Sequence, residues 1–271
     1  MRLEQKDLSR MLETAVVAAR LAGQKAMEEI SYVKTSIKGP DQLVTQADVI
    51  CQQIIIERIK EAYPDDGFIA EEGNAGGMFK QPPRGSKRVW WAIDPIDGTN
   101  NFAKGMLLFS VSVAAMYEGE PVVGVIFDPA TESMFTGVKG EEAQLNGRRI
   151  SVSEDGFDQF SSIGTDSFFD NGVPKWVISL MERARSRTLG SSCLHLAYLA
   201  KGSLIAVIVT RANLWDIAAG TLIAKAAKAK VSNWLGDEIF PVDLWSYEGQ
   251  LFQIVAANSK VHSEIVHILN Q

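Results

Sequence analysis

Five acidic residues, Asp48, Glu71, Asp94, Asp97 and Asp216, each stand where an apolar run ends. The densest group lies in VWWAIDPIDGTNNF, residues 89–102. Val89–Ile93 reads as a short buried strand that breaks into Asp94-Pro95-Ile96-Asp97-Gly98-Thr99. Two carboxylates three residues apart therefore sit at a strand end. Pro95 stiffens the turn, and Gly98 allows positive φ or close approach of a ligand to the backbone. Thr99 is expected to cap a short helix from Asn100, leaving backbone N–H groups aimed at whatever the carboxylates hold. Carboxylates that share one pocket cannot all stay ionised, because like charges raise one another's pKa. Cations relieve this, and an all-oxygen donor set favours Mg²⁺ or Mn²⁺ over Zn²⁺. Acids beside an anion-accepting helix start suit a phosphate carried on divalent cations.

The elements that must position these acids follow from periodicity. Residues 7–31 repeat small apolar groups at helical spacing, from Leu8 through Ala26. Leu43-Val44 is a brief extended piece, and Thr45 is expected to cap the helix carrying Val49, Ile50, Ile54, Ile55 and Ile59. Asp48 falls in its first turn, where a carboxylate also complements the helix dipole. Phe68-Ile69-Ala70 is a strand ending at Glu71-Glu72-Gly73, which alone could be an ordinary charged turn. Residues 73–88 read as a Gly/Pro-rich loop, either a flap or a solvated connection. Strands are expected at 107–117, 121–127 and 133–138, with hairpin signals at Glu118-Gly119-Glu120 and Asn146-Gly147. From about residue 160 the pattern alternates. Helices are expected at 174–185, 192–201, 215–228 and 259–270, and strands at 186–189, 204–210 and 252–256. Asp216 opens the 215–228 helix as its only acid, in an Ala-rich apolar setting; it is a cap, or an acid that must be neutral, paired or on a metal. Periodicity describes two mixed lobes, an antiparallel one followed by an α/β one.

Composition narrows the classes. The 271 residues carry a net charge of −6, with 46% hydrophobic residues. A pI near 5.2 argues against a general nucleic-acid binder, whose footprint would be basic. Cys51 and Cys193 lie in apolar helical runs without any CxxC pattern and read as reduced core cysteines, which fits a cytoplasmic setting. No signal peptide or membrane span is expected. His195, His262 and His267 are remote in sequence from the acidic motifs, and His195 reads as a packed histidine. No Ser-His-Asp or Cys-His arrangement points to acyl transfer.

DPIDGTNNF after an apolar strand resembles the inositol monophosphatase family of Mg²⁺-dependent, Li⁺-sensitive phosphatases, which also holds fructose-1,6-bisphosphatases and nucleotide 3′-phosphatases. LVT-x-x-D before Asp48, the EEG 23 residues before Asp94, the meander GVIFDPATESMFTGVKGEEAQLNGRRISVS and WD-x-AAG at Trp215 also resemble family segments, in family order. One departure is Gly140-Glu141-Glu142-Ala143, where relatives have Gly-x-Gly-Ala. The resemblance covers roughly residues 8–260 and implies an α+β fold, a layered α-β-α-β-α sandwich. It is expected to be one domain over 1–271, with lobes near 1–158 and 159–271.

The resemblance also implies roles. Glu71, Asp94 and the Ile96 carbonyl would hold one Mg²⁺. Asp94, Asp97 and Asp216 would hold a second, with a third, weaker ion near Glu71 and Mn²⁺ as a substitute. Thr99, backed by Asp48, would orient a water nucleophile and relay its proton, while the Gly98 and Thr99 N–H groups cradle the phosphate. Glu72 and Lys38 would support the ligands from behind. Gly190, Ser191 and Ser192 would touch the alcohol side of the substrate. Inositol-cleaving relatives often place a Glu seven residues before the WD aspartate; here that position is Val209, followed by Thr210 and Arg211. Arg211 is either a solvated strand-end arginine or a contact for a second anionic group. The implied activity is hydrolysis of a small phosphate monoester, inositol monophosphate or a related polyol or sugar phosphate. The alternatives are fructose-1,6-bisphosphatase or nucleotide 3′-phosphatase activity and, in another class, a regulatory binding protein of the transcription machinery. A homodimer is implied by the family alone.

Overall fold

Small side chains decide how the first helix packs in the computed structural model. That model describes residues 3–32, 35–39, 42–86, 88–166, 168–169 and 172–271, with backbone alone at 35–39, 42–43 and 75. Helix α1 (Gln5–Glu29) buries Ala15, Ala18, Ala19, Ala22, Gly23 and Ala26 on one face. A hairpin of β1 (Thr35–Gly39) and β2 (Gln42–Thr45) leads into α2 (Gln46–Ala62), which lies against α1. Then follow β3 (Gly67–Ala70), β4 (Phe79–Gln81), β5 (Val89–Asp97), the short α3 (Thr99–Ala103), β6 (Ser110–Tyr117), β7 (Glu120–Asp128), β8 (Ser133–Val138), β9 (Gln144–Leu145) and β10 (Arg148–Arg149). These strands form one sheet in the order β10-β9-β8-β7-β6-β5-β3-β4, antiparallel except for the parallel pair β3–β5.

The second half contributes β11 (Ser162–Thr165), α4 (Lys175–Met181), β12 (Arg185–Arg187), α5 (Ser192–Ala200), β13 (Ala206–Ala212), α6 (Leu214–Ala226), β14 (Lys230–Asn233), β15 (Phe252–Ala257) and α7 (His262–Leu269). Its sheet runs β12-β11-β13-β15-β14; the first three strands are parallel, and β15 is antiparallel to both neighbours.

Strand alternation builds the layers. On β5, Val89, Trp91 and Ile93 face α1 and α2, whereas Trp90 and Ala92 face α5 and α6. The other side of α5 and α6, through Leu196, Leu199, Ile217 and Ala224, meets Val207, Val209, Ile254 and Ala256 of the smaller sheet. That sheet's outer face, through Ile163, Ile208 and Val255, is covered by α4 and α7. The result is the α-β-α-β-α sandwich expected from the resemblance. Trp90, Trp91 and Phe68 are each at most 2% exposed; burying such aromatic side chains contributes roughly 2–3 kcal/mol each.

Local differences from the sequence reading have plain causes. The helix expected at 174–185 stops at Met181, and β14 carries no strand signal because Lys230–Asn233 is short and mostly polar. The segment at 73–88 is not all loop: β4 pairs antiparallel with β3, and Lys80 Nζ donates to the Trp245 and Tyr247 carbonyls at 2.9 and 2.7 Å. The Asn146-Gly147 turn forms as expected, with φ of 49° and 75°.

One contact fixes the height of α6 above the large sheet. A Cβ at Gly124 on β7 would lie 2.8 Å from the Ala219 carbonyl oxygen and 3.0 Å from its Cα. Backbone therefore meets backbone, and no side chain can yield. Gly124→Val is expected to lower stability by about 1–3 kcal/mol or more, read as a fall in Tm by calorimetry. An unchanged Tm would show that α6 can shift freely.

Candidate active site

The DPIDG segment is built by a bulge. Asp94 pairs with Ser112 and Asp97 with Ser110, so three residues on β5 span two on β6. The Asp94 carboxylate is buried, and Oδ1 accepts from the Ile96 N–H at 3.0 Å. Asp97 Oδ2 accepts from Ser191 Oγ at 2.5 Å and from the Cys193 N–H at 2.7 Å, which ties the end of β5 to the first turn of α5. Thr99 is not the cap: Gly98, at φ 101°, holds that position, and α3 begins at Thr99 itself. The Thr99 hydroxyl is thereby released for other work. It lies 3.1 Å from the Ile96 carbonyl and 3.3 Å from Asp48 Oδ1. A Cβ at Gly98 would approach the Leu108 carbonyl to 2.9 Å, so both space and φ require glycine.

Asp48 and Asp216 occupy the same position in two different helices. Each is the third residue of a capping box, Thr45…Asp48 in α2 and Asn213…Asp216 in α6. Asp48 Oδ2 accepts from the Thr45 N–H at 2.8 Å and its hydroxyl at 2.5 Å; Asp216 Oδ2 accepts from the Asn213 N–H at 2.7 Å. The capping and functional readings of these acids therefore do not compete. One oxygen closes the helix, and the other is available to the site. Glu71 continues the parallel pairing of β3 with β5, its N–H donating to the Ile93 carbonyl at 3.2 Å, so it emerges beside Asp94. Gln52 holds the Glu72 backbone from both sides, accepting from its N–H at 2.8 Å and donating to its carbonyl at 2.5 Å.

These carboxylates raise one another's pKa. Burial pushes Asp94 well above the usual carboxylate range, and Glu71, Asp97 and Asp216 add repulsion. Burial, then the Asp97 charge, lifts Asp216 to about 7. Asp97 is raised by burial against the donors Ser191 and Cys193. Asp48 rises to about 6 through burial, opposed by Thr45 and assisted by Glu72. Among the described residues, no three His, Cys, Asp or Glu side chains form a ready-made metal cage. What exists is a set of buried oxygen donors that raise one another's pKa, and a hard divalent cation fits such a set. Sulfur takes no part: the Cys193 thiol donates to the Asp216 carbonyl at 3.1 Å, and burial holds its pKa far up. His195 is the packed histidine expected. Burial lowers its pKa to about 4, and its Nε2 accepts from the Leu189 N–H at 2.9 Å.

The residues expected on the alcohol side of a substrate converge as well. Gly190 at φ 70°, Ser191, Ser192 and Arg211 line a cavity of about 520 Å³ together with Asp97. Asn101 Nδ2 donates to the Leu108 and Leu189 carbonyls, both at 2.7 Å, and so welds α3 to that loop. Ser191 caps α5 by accepting from the Leu194 N–H at 3.0 Å. The side chain of Lys38 lies outside the described residues. Sequence reasoning missed Gln52, Asn101, and the pair Asp166–Thr210 in the cavity wall. Gln52 was detectable in principle, as a polar residue four positions after Asp48 on a mostly apolar helix. Asn101 carries no local signal, because its partners are 7 and 88 residues away.

Comparison with known proteins bears on this arrangement. The family model described as "Inositol monophosphatase family" matches residues 7–271. The chain is 37% identical over 235 residues to the Nus factor SuhB of Vibrio cholerae, covering 83% of this chain and 86% of that one. It is 33% identical over 234 residues to the fructose-1,6-bisphosphatase/inositol-1-monophosphatase of Thermotoga maritima, covering 86% and 84%. The crystal structure of the extragenic suppressor protein suhB from Bartonella henselae superposes with a TM-score of 0.86 at 28% identity, covering 97% of this chain and 99% of that one. The five-layer sandwich, the clustered acids on its strand and helix ends and these matches lead to one conclusion: the chain belongs to the inositol monophosphatase family.

Proposed function

We propose that this protein is a Mg²⁺-dependent phosphomonoesterase acting on a small polyol, sugar or nucleotide phosphate. The observation that carries this is the convergence of buried, mutually repelling carboxylates from β5 and α6 beside Glu71 at the end of β3. Family membership supports phosphatase chemistry, and the Thermotoga relative is named for it.

Glu71, Asp94 and the Ile96 carbonyl would hold one ion, and Asp94, Asp97 and Asp216 a second; a third, weaker one would sit near Glu71. When bound, such ions neutralise charge on the phosphoryl group and acidify a water. The chain's own residues do the rest. Thr99 Oγ, fixed between the Ile96 carbonyl and Asp48, orients the attacking water. Asp48 accepts the proton relayed by Thr99. The N–H groups of Gly98 and Thr99 face the phosphate, where glycine leaves the backbone uncovered. Ser191 and the Cys193 N–H hold Asp97 in place, so one of its oxygens stays aimed at the site. Glu72 supports the ligands from behind, with its backbone held by Gln52. The same reading carries a single domain over residues 1–271, a homodimer, inhibition by Li⁺ and a cytoplasmic setting. Among the described residues, no helix is long and apolar enough to cross a membrane.

A second reading is favoured by relatives named Nus factor SuhB: a regulatory role through binding to transcription machinery. The two roles are separable by experiment, because only one needs the carboxylates.

Asp94→Asn is expected to lower phosphate release by about 10³-fold or more, since it removes the carboxylate shared by both ions. A variant that keeps even a tenth of the wild-type rate would sink the assignment. Mg²⁺ at about 100 times its Kd should stabilise the wild-type protein by roughly 2.7 kcal/mol. Differential scanning calorimetry should show that gain vanish in Asp94→Asn. Asp48→Asn should reduce kcat by about 10²–10⁴-fold with a far smaller change in KM. A change confined to KM would instead make Asp48 a substrate contact.

A further inference from the structure

The helix that carries Asp216 begins on a side chain from 33 residues further along the chain. Leu214, the first residue of α6, has no intrahelical partner for its N–H, and it is fully buried, so water cannot supply one. The Tyr247 hydroxyl accepts that N–H at 3.0 Å and donates to the Gln250 carbonyl at 3.2 Å. Tyr247 is 2% exposed, and its ring stacks on Phe252 with centroids 6.3 Å apart, so the hydroxyl has little freedom. The Asn213…Asp216 capping box satisfies the N–H groups of Asn213 and Asp216 on either side of this contact. Tyr247 therefore completes the turn from which Asp216 projects.

Tyr247 is itself held. It lies in a segment, 241–250, that contains no helix or strand. Lys80 Nζ donates to the Trp245 and Tyr247 carbonyls at 2.9 and 2.7 Å and lies 3.4 Å from Glu248 Oε1, with its side chain mostly buried. Such charge-assisted bonds are stronger than neutral ones. At the other end of the segment, the Val242 N–H donates to the Gly119 carbonyl at 2.9 Å. Lys80 stands on β4 opposite Ile69 of β3, two residues before Glu71. One chain of contacts thus runs from the strand that delivers Glu71, through Lys80 and Tyr247, to the turn that delivers Asp216. Oxygen donors on separate elements suit Mg²⁺ only when their spacing is fixed, because that ion demands near-ideal octahedral geometry. Resting on the metal-ion part of the phosphatase reading above, we propose that Tyr247 and Lys80 are positioning residues for the cation site. They form a strut that fixes the first turn of α6, and Asp216 with it, relative to the strand end at Glu71. Their effect falls on cation affinity rather than on the chemical step.

The test titrates Mg²⁺ into the wild type, Tyr247→Phe, Lys80→Met and the double variant by isothermal calorimetry, with Tm recorded for each. Thr221→Val is the control: it removes a buried hydroxyl that donates to the Ala218 carbonyl at 3.2 Å, on α6 beyond its first turn. Tyr247→Phe keeps the ring in its stack and should raise the Mg²⁺ Kd by about tenfold or more. Lys80→Met should raise it in the same direction. The double variant should lose no more affinity than Tyr247→Phe alone, because both residues act through one strut. Thr221→Val should keep the wild-type Kd even where its Tm falls. A Tyr247→Phe variant that loses Tm but keeps the wild-type Kd would make Tyr247 a merely structural residue and overturn the strut, while the metal-ion reading stands. Additive losses in the double variant would overturn the link through Lys80. A wild type that binds no Mg²⁺ would overturn the metal-ion reading and the strut together. Should Tyr247→Phe fail to fold, Lys80→Met decides: a raised Kd upholds the strut, and an unchanged one overturns it.

Discussion

Repulsion among buried carboxylates is the constraint around which this molecule is arranged. Asp94 is 2% exposed and has Glu71, Asp97 and Asp216 as electrostatic neighbours. Gathering acids in that way costs stability in the folded chain, because each ionised group loses water and gains a like charge. A fold can tolerate the cost only if the backbone supporting the acids is very rigid. Here it is: β5 sits inside an eight-stranded sheet, and α6 is pressed onto that sheet at Gly124 with no intervening side chain. The layers do more than enclose a core. They hold the ends of β3, β5 and α6 close enough for their charges to oppose one another.

Two kinds of restraint hold the loops that complete the site. Some are polar ties across long sequence separations, such as Asn101 to the Leu189 carbonyl and Asp97 to the start of α5. Others are packing, as with neutral His195 under the Leu189–Gly190 turn. Together they let Gly98 and Gly190 keep left-handed backbone, which bulkier residues would adopt only with strain.

How much of this was legible beforehand depends on the range of the interaction. The acids, the β5 break and the capping residue Thr45 are local patterns, and all stand where periodicity and motif placed them. The layered sandwich was not legible from periodicity, which describes only two mixed lobes; it came through the resemblance. Several features were hidden because their causes are non-local. Gly98 rather than Thr99 caps α3, and the crowding by Leu108 and Gly190 that keeps position 98 a glycine is a fact of tertiary packing. Strand β4 gains its identity from pairing with β3 and from Lys80 reaching carbonyls more than 160 positions away. The aromatic residues that line the cavity at Asp97 come from positions 168 to 234 and form no motif.

The double use of Asp48 and Asp216 has a consequence for local folding. In each capping box, one carboxylate oxygen satisfies first-turn donors of its own helix. The aim of the other oxygen is therefore set by whether that turn is wound. Fraying of the first turn of α2 or α6, the cheapest opening available to a helix end, would swing the carboxylate away and dissolve the site without disturbing either sheet. Conversely, whatever occupies the site is coupled to the winding of both turns. Occupancy and the local unfolding equilibria of two helix termini are linked, so the ligand acts as a clamp on secondary structure at positions far apart in sequence.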